Sequence, residues 1–194
     1  MKVSRNGWDF PIVCVGGSAG GLDAYIRLLK HLPNDMGVAV VIVDHARKFA
    51  SRLHEALPRF TTMPVELIAD GLRIQPDRVF IISAQRDMSC CRGLSARTDL
   101  EAPRMARRHY GVLAIPSRTL GWQAYCRDRL WPRWRRRRGA SRYQGSRGTT
   151  IAQRLDTARQ SDMPESAIAT GFVDFIPSTA DIAKTIVQIA HSER

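Results

Sequence analysis

In the stretch VCVGGSAGGLDAY, Ser18 stands among glycines, directly after an apolar run and directly before a helical pattern. Gly16-Gly17-Ser18-Ala19-Gly20 fits G-x-S-x-G, in which glycines permit a tight strand-to-helix turn and present a serine hydroxyl at the sheet edge. The N-terminus of the next helix would offer unpaired N–H groups and positive dipole to a developing oxyanion. Two other readings use the same residues. The turn could cradle a phosphate, or Ser18 could serve only as a helix N-cap.

A serine nucleophile needs a base. In VIVDHA, Asp44-His45 falls where a second apolar run ends, which in a parallel sheet is the edge that also carries Ser18. A histidine there can take the serine proton. The competing readings are a solvated loop histidine, or Asp44 as the acid that binds a dinucleotide ribose. The second is the weaker, because Gly16-Gly17-Ser18 lacks the middle glycine of G-x-G-x-x-G. His31, His54 and His191 fall in helical segments or near the chain end and are read as surface residues.

The elements that must position this pair follow from periodicity. IVCV (12–15) and VAVVIV (38–43) are continuous apolar, β-branched runs of the kind buried on both sheet faces. Between them Leu22, Tyr25, Ile26, Leu28, Leu29 and Leu32 follow helical spacing, and Pro33-Asn34 stops the helix. A short helix is expected from Phe49 to Leu57. Strands are expected at VELI (65–68) and VFII (79–82), with the turn-like Asp70-Gly71 between them. Strand and helix in alternation predict a doubly wound, Rossmann-like α/β domain: a mainly parallel sheet with flanking helices and right-handed crossovers. TTIAQ (149–153), FVDFI (172–176) and a closing helix with Ile182, Ile186, Val187 and Ile189 complete the pattern.

The 194 residues suit one domain, and 44% hydrophobic with 25% charged residues is a globular composition. Cys14, Cys90, Cys91 and Cys126 form neither a disulfide framework nor paired C-x-x-C metal spacing. No metal or cofactor site is expected. MKVSRNGWDF lacks the apolar core of a signal peptide, and no apolar run approaches the ~18 residues of a membrane span. A cytoplasmic protein without membrane insertion is the expectation.

VGGSAGGLDAYIRLLKHLP, VAVVIVDHA, ADGLRIQPDRVFI and GTTIAQ…MPESAIATGFVDFI together resemble the catalytic domain of chemotaxis protein-glutamate methylesterases of the CheB type. The resemblance covers 10–91 and 148–190, both ends of one domain in order. It implies hydrolysis of methyl-glutamate esters on methylated chemoreceptors by a Ser-His-Asp triad, with glutamine deamidation in some members. It further implies Ser18 as nucleophile and His45 as base. A receptor methyltransferase or a separate response regulator is a further candidate partner. Family members often read Ser-Thr-Gly-Gly at the turn, where this chain has Ser18-Ala19-Gly20-Gly21 and so one hydroxyl fewer. No receiver domain stands ahead of the catalytic part in this sequence, so aspartyl-phosphate control within the chain is not expected.

The segment between the two matching parts has a different composition. The net charge of +12 resides in 92–148, where fifteen arginines face Asp99, Glu101 and Asp128, while the remainder is neutral. The segment has no lysine and three of the four tryptophans. The family's aspartate would fall inside it, in a Gly- and Asp-rich loop after a buried strand. Tryptophan has the single codon TGG, which one base later always begins a glycine codon. Trp131-Pro132-Arg133-Trp134 can thus be written TGG CCG CGA TGG, which shifted reads Gly-Arg-Asp-Gly.

With suitable codons the same shift can turn QAYCRDRL (123–130) into Arg-Arg-Ile-Ala-Val-Ile-Val-Ser, a buried-strand pattern; codon degeneracy permits each such translation without forcing it. It can also turn RHYGVLAIP (108–116) into an amphipathic pattern, and SRYQGSRG (141–148) into a stretch that leads into the in-frame TTIAQ. We therefore read 92–148 as a frameshifted translation that closes near Gly148, expected to be irregular or disordered. Ser18 and His45 are then retained, the third, acidic member is not assignable, and activity is impaired. Asp128, in CRDRL, lacks the motif. The alternative is an inactive methylesterase-like protein that binds nucleic acid non-specifically, through arginines interleaved with Trp131, Trp134 and Tyr143.

Overall fold

The computed structural model describes residues 10–17, 21–44, 49–69, 71–83, 87–90, 96–99, 113–115, 149–169, 171 and 173–192. The predicted alternation is realised. Strand β1 (Ile12–Gly17) leads through helix α1 (Gly21–His31) to β2 (Ala39–Asp44). Helix α2 (Phe49–Ala56) precedes β3 (Val65–Leu67) and β4 (Val79–Ser83). A hairpin follows, of β5 (Asp87–Cys90) and β6 (Ala96–Asp99), and then β7 (Leu113–Ile115). The C-terminal part holds β8 (Thr149–Ile151), α3 (Asp162–Ile168) and α4 (Ile182–Ser192).

Six strands form the main sheet in the order β3-β4-β2-β1-β7-β8. The pairs β1/β2, β2/β4 and β3/β4 are parallel, so each crossover returns the chain to the same edge. Helix α1 starts at the carboxyl end of β1 and stops at His31, two residues before Pro33, which cannot donate a backbone hydrogen bond. Strand alternation divides the core. Val13, Val15, Val40, Ile42, Val79 and Ile81 face one side, against Tyr25, Leu28 and Leu29 of α1, Leu53 of α2, and Ala183 and Ile186 of α4. Ile12, Cys14, Val41, Phe80 and Ile82 face the other, against Ile68 and Ile74. Both faces of β2 are therefore dry, as its unbroken apolar run requires.

The described parts of 92–148 form strands β6 and β7, where sequence periodicity leads one to expect none. Strand β7 lies between β1 and β8 and is antiparallel to both. Leu113 partners Val15 and Ala114 partners Cys14, so the chain runs from the carboxyl edge of the sheet toward its amino edge. Two successive reversals leave β8 parallel to β1. The physical reason for β7 is local: Leu113, Ala114 and Ile115 are a short apolar run beside open ladder positions of β1, and pairing satisfies backbone groups that would otherwise be buried unpaired. Beyond Leu113 and Ala114 no β1 residue has a described partner on that side.

Strand β8 is continued by a second ladder. Phe175 N–H donates to Thr150 O at 3.1 Å, Ala152 N–H to Phe175 O at 3.0 Å, and Arg154 N–H to Pro177 O at 2.9 Å. Asp174 locks its start, Oδ2 accepting both the N–H and the hydroxyl of buried Thr150, each at 2.7 Å. Among the described residues no helix is long and apolar enough to cross a membrane.

Candidate active site at the carboxyl edge of the sheet

The two sequence-derived site residues, Ser18 and His45, lie outside the described residues, but the strands that deliver them do not. Gly17 and Asp44, to which they are bonded, are Cα partners at the ends of β1 and β2. A parallel pair in this register releases both chains at one edge, where functional loops of open α/β sheets gather. Helix α1 opens at Gly21, three residues after Ser18, and carries Asp23 in its first turn, where an anion is favoured.

Gly17 has a packing reason to be glycine. A Cβ built there would lie 2.6 Å from Tyr25 Cζ and still closer to the hydroxyl, far inside van der Waals contact. Tyr25 is 2% exposed, and its ring end lies close to both Gly17 and Gly21. The ring of α1 therefore sets the height at which the chain leaves β1 before Ser18.

At the carboxyl end of β1 a cleft of about 410 Å³ is lined by Val15, Gly16 and Gly17, with α1 as one wall. The opposite wall is the chain after β8, from Gln153 through the 3-10 turn Leu155–Thr157 to Gln160, with Met163 and Pro164 of α3. That wall is pinned twice. At its base, Gln153 Nε2 donates to Thr157 O at 2.8 Å and to Thr179 Oγ1 at 2.6 Å, and Thr179 Oγ1 donates to Thr157 O at 3.2 Å. At its rim, Arg159 forms an ion pair with Asp23 of α1 at 2.8 Å, joining the two walls. Arg154 and Asp156 pair at 2.6 Å; their hydrogen bond holds the Asp156 carboxyl below its usual range and raises the Arg154 guanidinium further.

Sequence reading did not single out Gln153, Thr157, Thr179, Asp23 or Arg159. Gln153 was within reach, since it follows β8 at the edge where Ser18 follows β1. The pairing of residues 23 and 159 had no local signal at all. His31 and His191 are exposed and His54 half-buried on helices, in keeping with surface roles. Asp128, the arginine run and its tryptophans lie outside the described residues. Among the described residues no group of three or more His, Cys, Asp or Glu could hold a metal ion.

A mainly parallel sheet with flanking helices, and a cleft lined by the carboxyl end of β1 and by α1, defines an α/β domain of the doubly wound class. Within that class the family is specific. The CheB methylesterase model matches residues 13–112 and 137–186, and the chain belongs to that family. The unmatched interval, 113–136, falls inside the arginine-rich segment and is narrower than it.

The relatives agree. A protein-glutamate methylesterase/protein-glutamine glutaminase of Burkholderia orbicola is 32% identical over 94% of this chain and 55% of its own length. One from Geobacter sulfurreducens is 29% identical over 91% of this chain and 49% of its own. The chain thus spans about half the length of these curated relatives. The crystal structure of the Thermotoga maritima CheB methylesterase catalytic domain superposes with a TM-score of 0.73, over 94% of this chain and all of that one. At 18% identity this likeness speaks for the fold.

Proposed function

We propose that this chain is the catalytic part of a protein-glutamate methylesterase, acting on methylated chemoreceptors in cytoplasmic phosphorelay signalling, and that its activity is impaired. Deamidation of receptor glutamines is a second reaction of the same site. The observation that carries the reading is the partnership of Gly17, which lines the cleft, with Asp44 at the end of β2, in a chain of this family.

In this reading Ser18 Oγ attacks the ester carbon while His45 takes its proton. The negative charge on the carbonyl oxygen faces the N-terminal end of α1. Collapse breaks the bond to methoxide, which leaves as methanol with the proton returned by His45. Water then adds to the acyl-enzyme, His45 again taking the proton, and glutamate and free Ser18 result. With glutamine the leaving group is ammonia.

The direction of β7 supports impairment. Residues after a parallel strand in that slot would arrive at the edge of Ser18 and His45, as an acid orienting the histidine must. Strand β7 instead runs antiparallel to β1, with its last residue, Ile115, toward the amino edge. Loss of the triad's acid alone costs ~10⁴-fold in turnover.

The test is methanol release from methylated receptor membranes. The purified chain should release little. A version carrying the shifted-frame translation of 92–148 should recover activity, and Ser18→Ala in that version should abolish it. Vigorous Ser18-dependent release by the chain as written would show that another acid, such as Asp128, completes the site. Release that survives Ser18→Ala would remove the proposed mechanism.

A further inference from the structure

The amide of Gln153 is held in one orientation by its surroundings. Thr157 O can only accept a hydrogen bond, so the group facing it at 2.8 Å must be the amide nitrogen. The second N–H is given to Thr179 Oγ1 at 2.6 Å, and the Thr179 hydroxyl proton is directed to Thr157 O. Both donors of Gln153 are thereby spent, while Oε1 meets no donor among the described residues. Gln153 is half-buried and lines the cleft beside Gly16 and Gly17. A carbonyl whose nitrogen is fixed from behind is a preorganised acceptor.

Its place in the sheet says which donor it suits. Neighbouring strands lie about 4.8 Å apart, so β8, separated from β1 by one strand, stands about 10 Å away. With bonds near 1.5 Å, a glutamine side chain reaches at most roughly half that gap, and Gln153 lines the same cleft as Gly16 and Gly17. The remaining ~5 Å is the span from the ester carbon of a glutamyl side chain back to its own main chain, by the same bond lengths. An ester seated after β1 therefore brings the substrate's backbone, rather than its reacting carbonyl, to Gln153.

Resting on the methylesterase reading, we propose that Gln153 is a substrate-positioning residue whose Oε1 accepts the main-chain N–H of the glutamyl residue being processed. The contact lies away from the bond that is cut and serves ester and amide substrates alike. It discriminates a glutamyl residue within a peptide from the same ester on a group without that N–H.

The experiment reads binding, so it does not depend on turnover. The full chain is titrated with an N-acetylated pentapeptide amide bearing a central glutamate γ-methyl ester, and with its depsipeptide, in which the central N–H is replaced by oxygen. The depsipeptide should bind roughly three- to tenfold more weakly, the usual worth of one hydrogen bond. In Gln153→Met the two peptides should bind alike, closing a double-mutant cycle.

A second measurement needs no variant: with ¹⁵N at the central amide, that N–H alone should shift downfield on binding to the parent chain. Equal binding of both peptides to the parent, discrimination that persists in Gln153→Met, an unshifted amide, or no binding of the ester peptide would each overturn the proposal. Failure of the methylesterase reading looks different: N–H-dependent binding would persist, while the frame-restored chain released no Ser18-dependent methanol.

Discussion

Gly17 and Asp44 are Cα partners, the last residue of β1 beside the last residue of β2. The pairing is continuous from Ile12 with Ala39 to this point, without a bulge. Ser18 and His45 each follow one of these partners by a single peptide bond. Two largely buried, continuously paired strands are a rigid platform of the kind on which a precisely placed site is best built.

Gly17→Ala should be destabilising in proportion to how far Tyr25 must retreat. Overpacking of this kind costs ~1–3 kcal/mol, read as a shifted urea midpoint with unchanged slope. In a Tyr25→Leu background, which removes the ring end that a Cβ at 17 meets, the added cost should fall well below that value. Strict additivity would place the strain elsewhere.

Asp174→Ala should loosen the start of β8. It removes the carboxylate that accepts from the N–H and hydroxyl of Thr150, a residue 1% exposed, and hydrogen bonds to a charged group contribute ~1.5–3 kcal/mol. Asp174→Asn keeps a side-chain oxygen and should lose less. Equal loss in the two variants would show that charge, not hydrogen bonding, matters there.

The Asp23–Arg159 pair should matter locally rather than globally. Both side chains are more than half exposed, and such pairs contribute ~0–1 kcal/mol. Arg159→Gln should leave the unfolding midpoint almost unchanged while speeding amide exchange in 155–160, since the rim anchor of that wall is lost. Added salt should mimic the substitution in the parent and do nothing further in the variant.

Amide exchange should also rank the sheet. Strand β2 is paired along both edges and buried on both faces, so its amides should exchange only with global unfolding. Strand β7 has two partners in β1 and three in β8, and should open sub-globally, with protection well below that of β2. Protection in β7 equal to that in β2 would mean that the antiparallel strand is an integral part of the cooperative core, contrary to a stand-in for a longer parallel one.

Much of the scaffold was legible because it is local. IVCV and VAVVIV announce strands buried on both faces, and the spacing from Leu22 to Leu32 announces the helix between them, since side-chain period and burial are coupled within each element. The parallel arrangement followed from the alternation. Helix α3, over Asp162–Ile168, was not anticipated; seven residues with Pro164 in the first turn carry too little period to read.

The sequence by itself determined the strand–helix–strand unit, the glycine turn carrying Ser18, and the charge boundary that isolates 92–148. Each of these is written in contiguous residues. Only the tertiary structure decided that Leu113–Ile115 enters the sheet against the direction of its neighbours. It alone also decided that Gln153 turns its amide nitrogen toward Thr179, and that Asp23 meets Arg159 across the cleft mouth. Those outcomes depend on contacts between distant parts of the chain, where strand orientation and side-chain pairing are chosen by which backbone groups and charges remain to be satisfied. No local period encodes that choice.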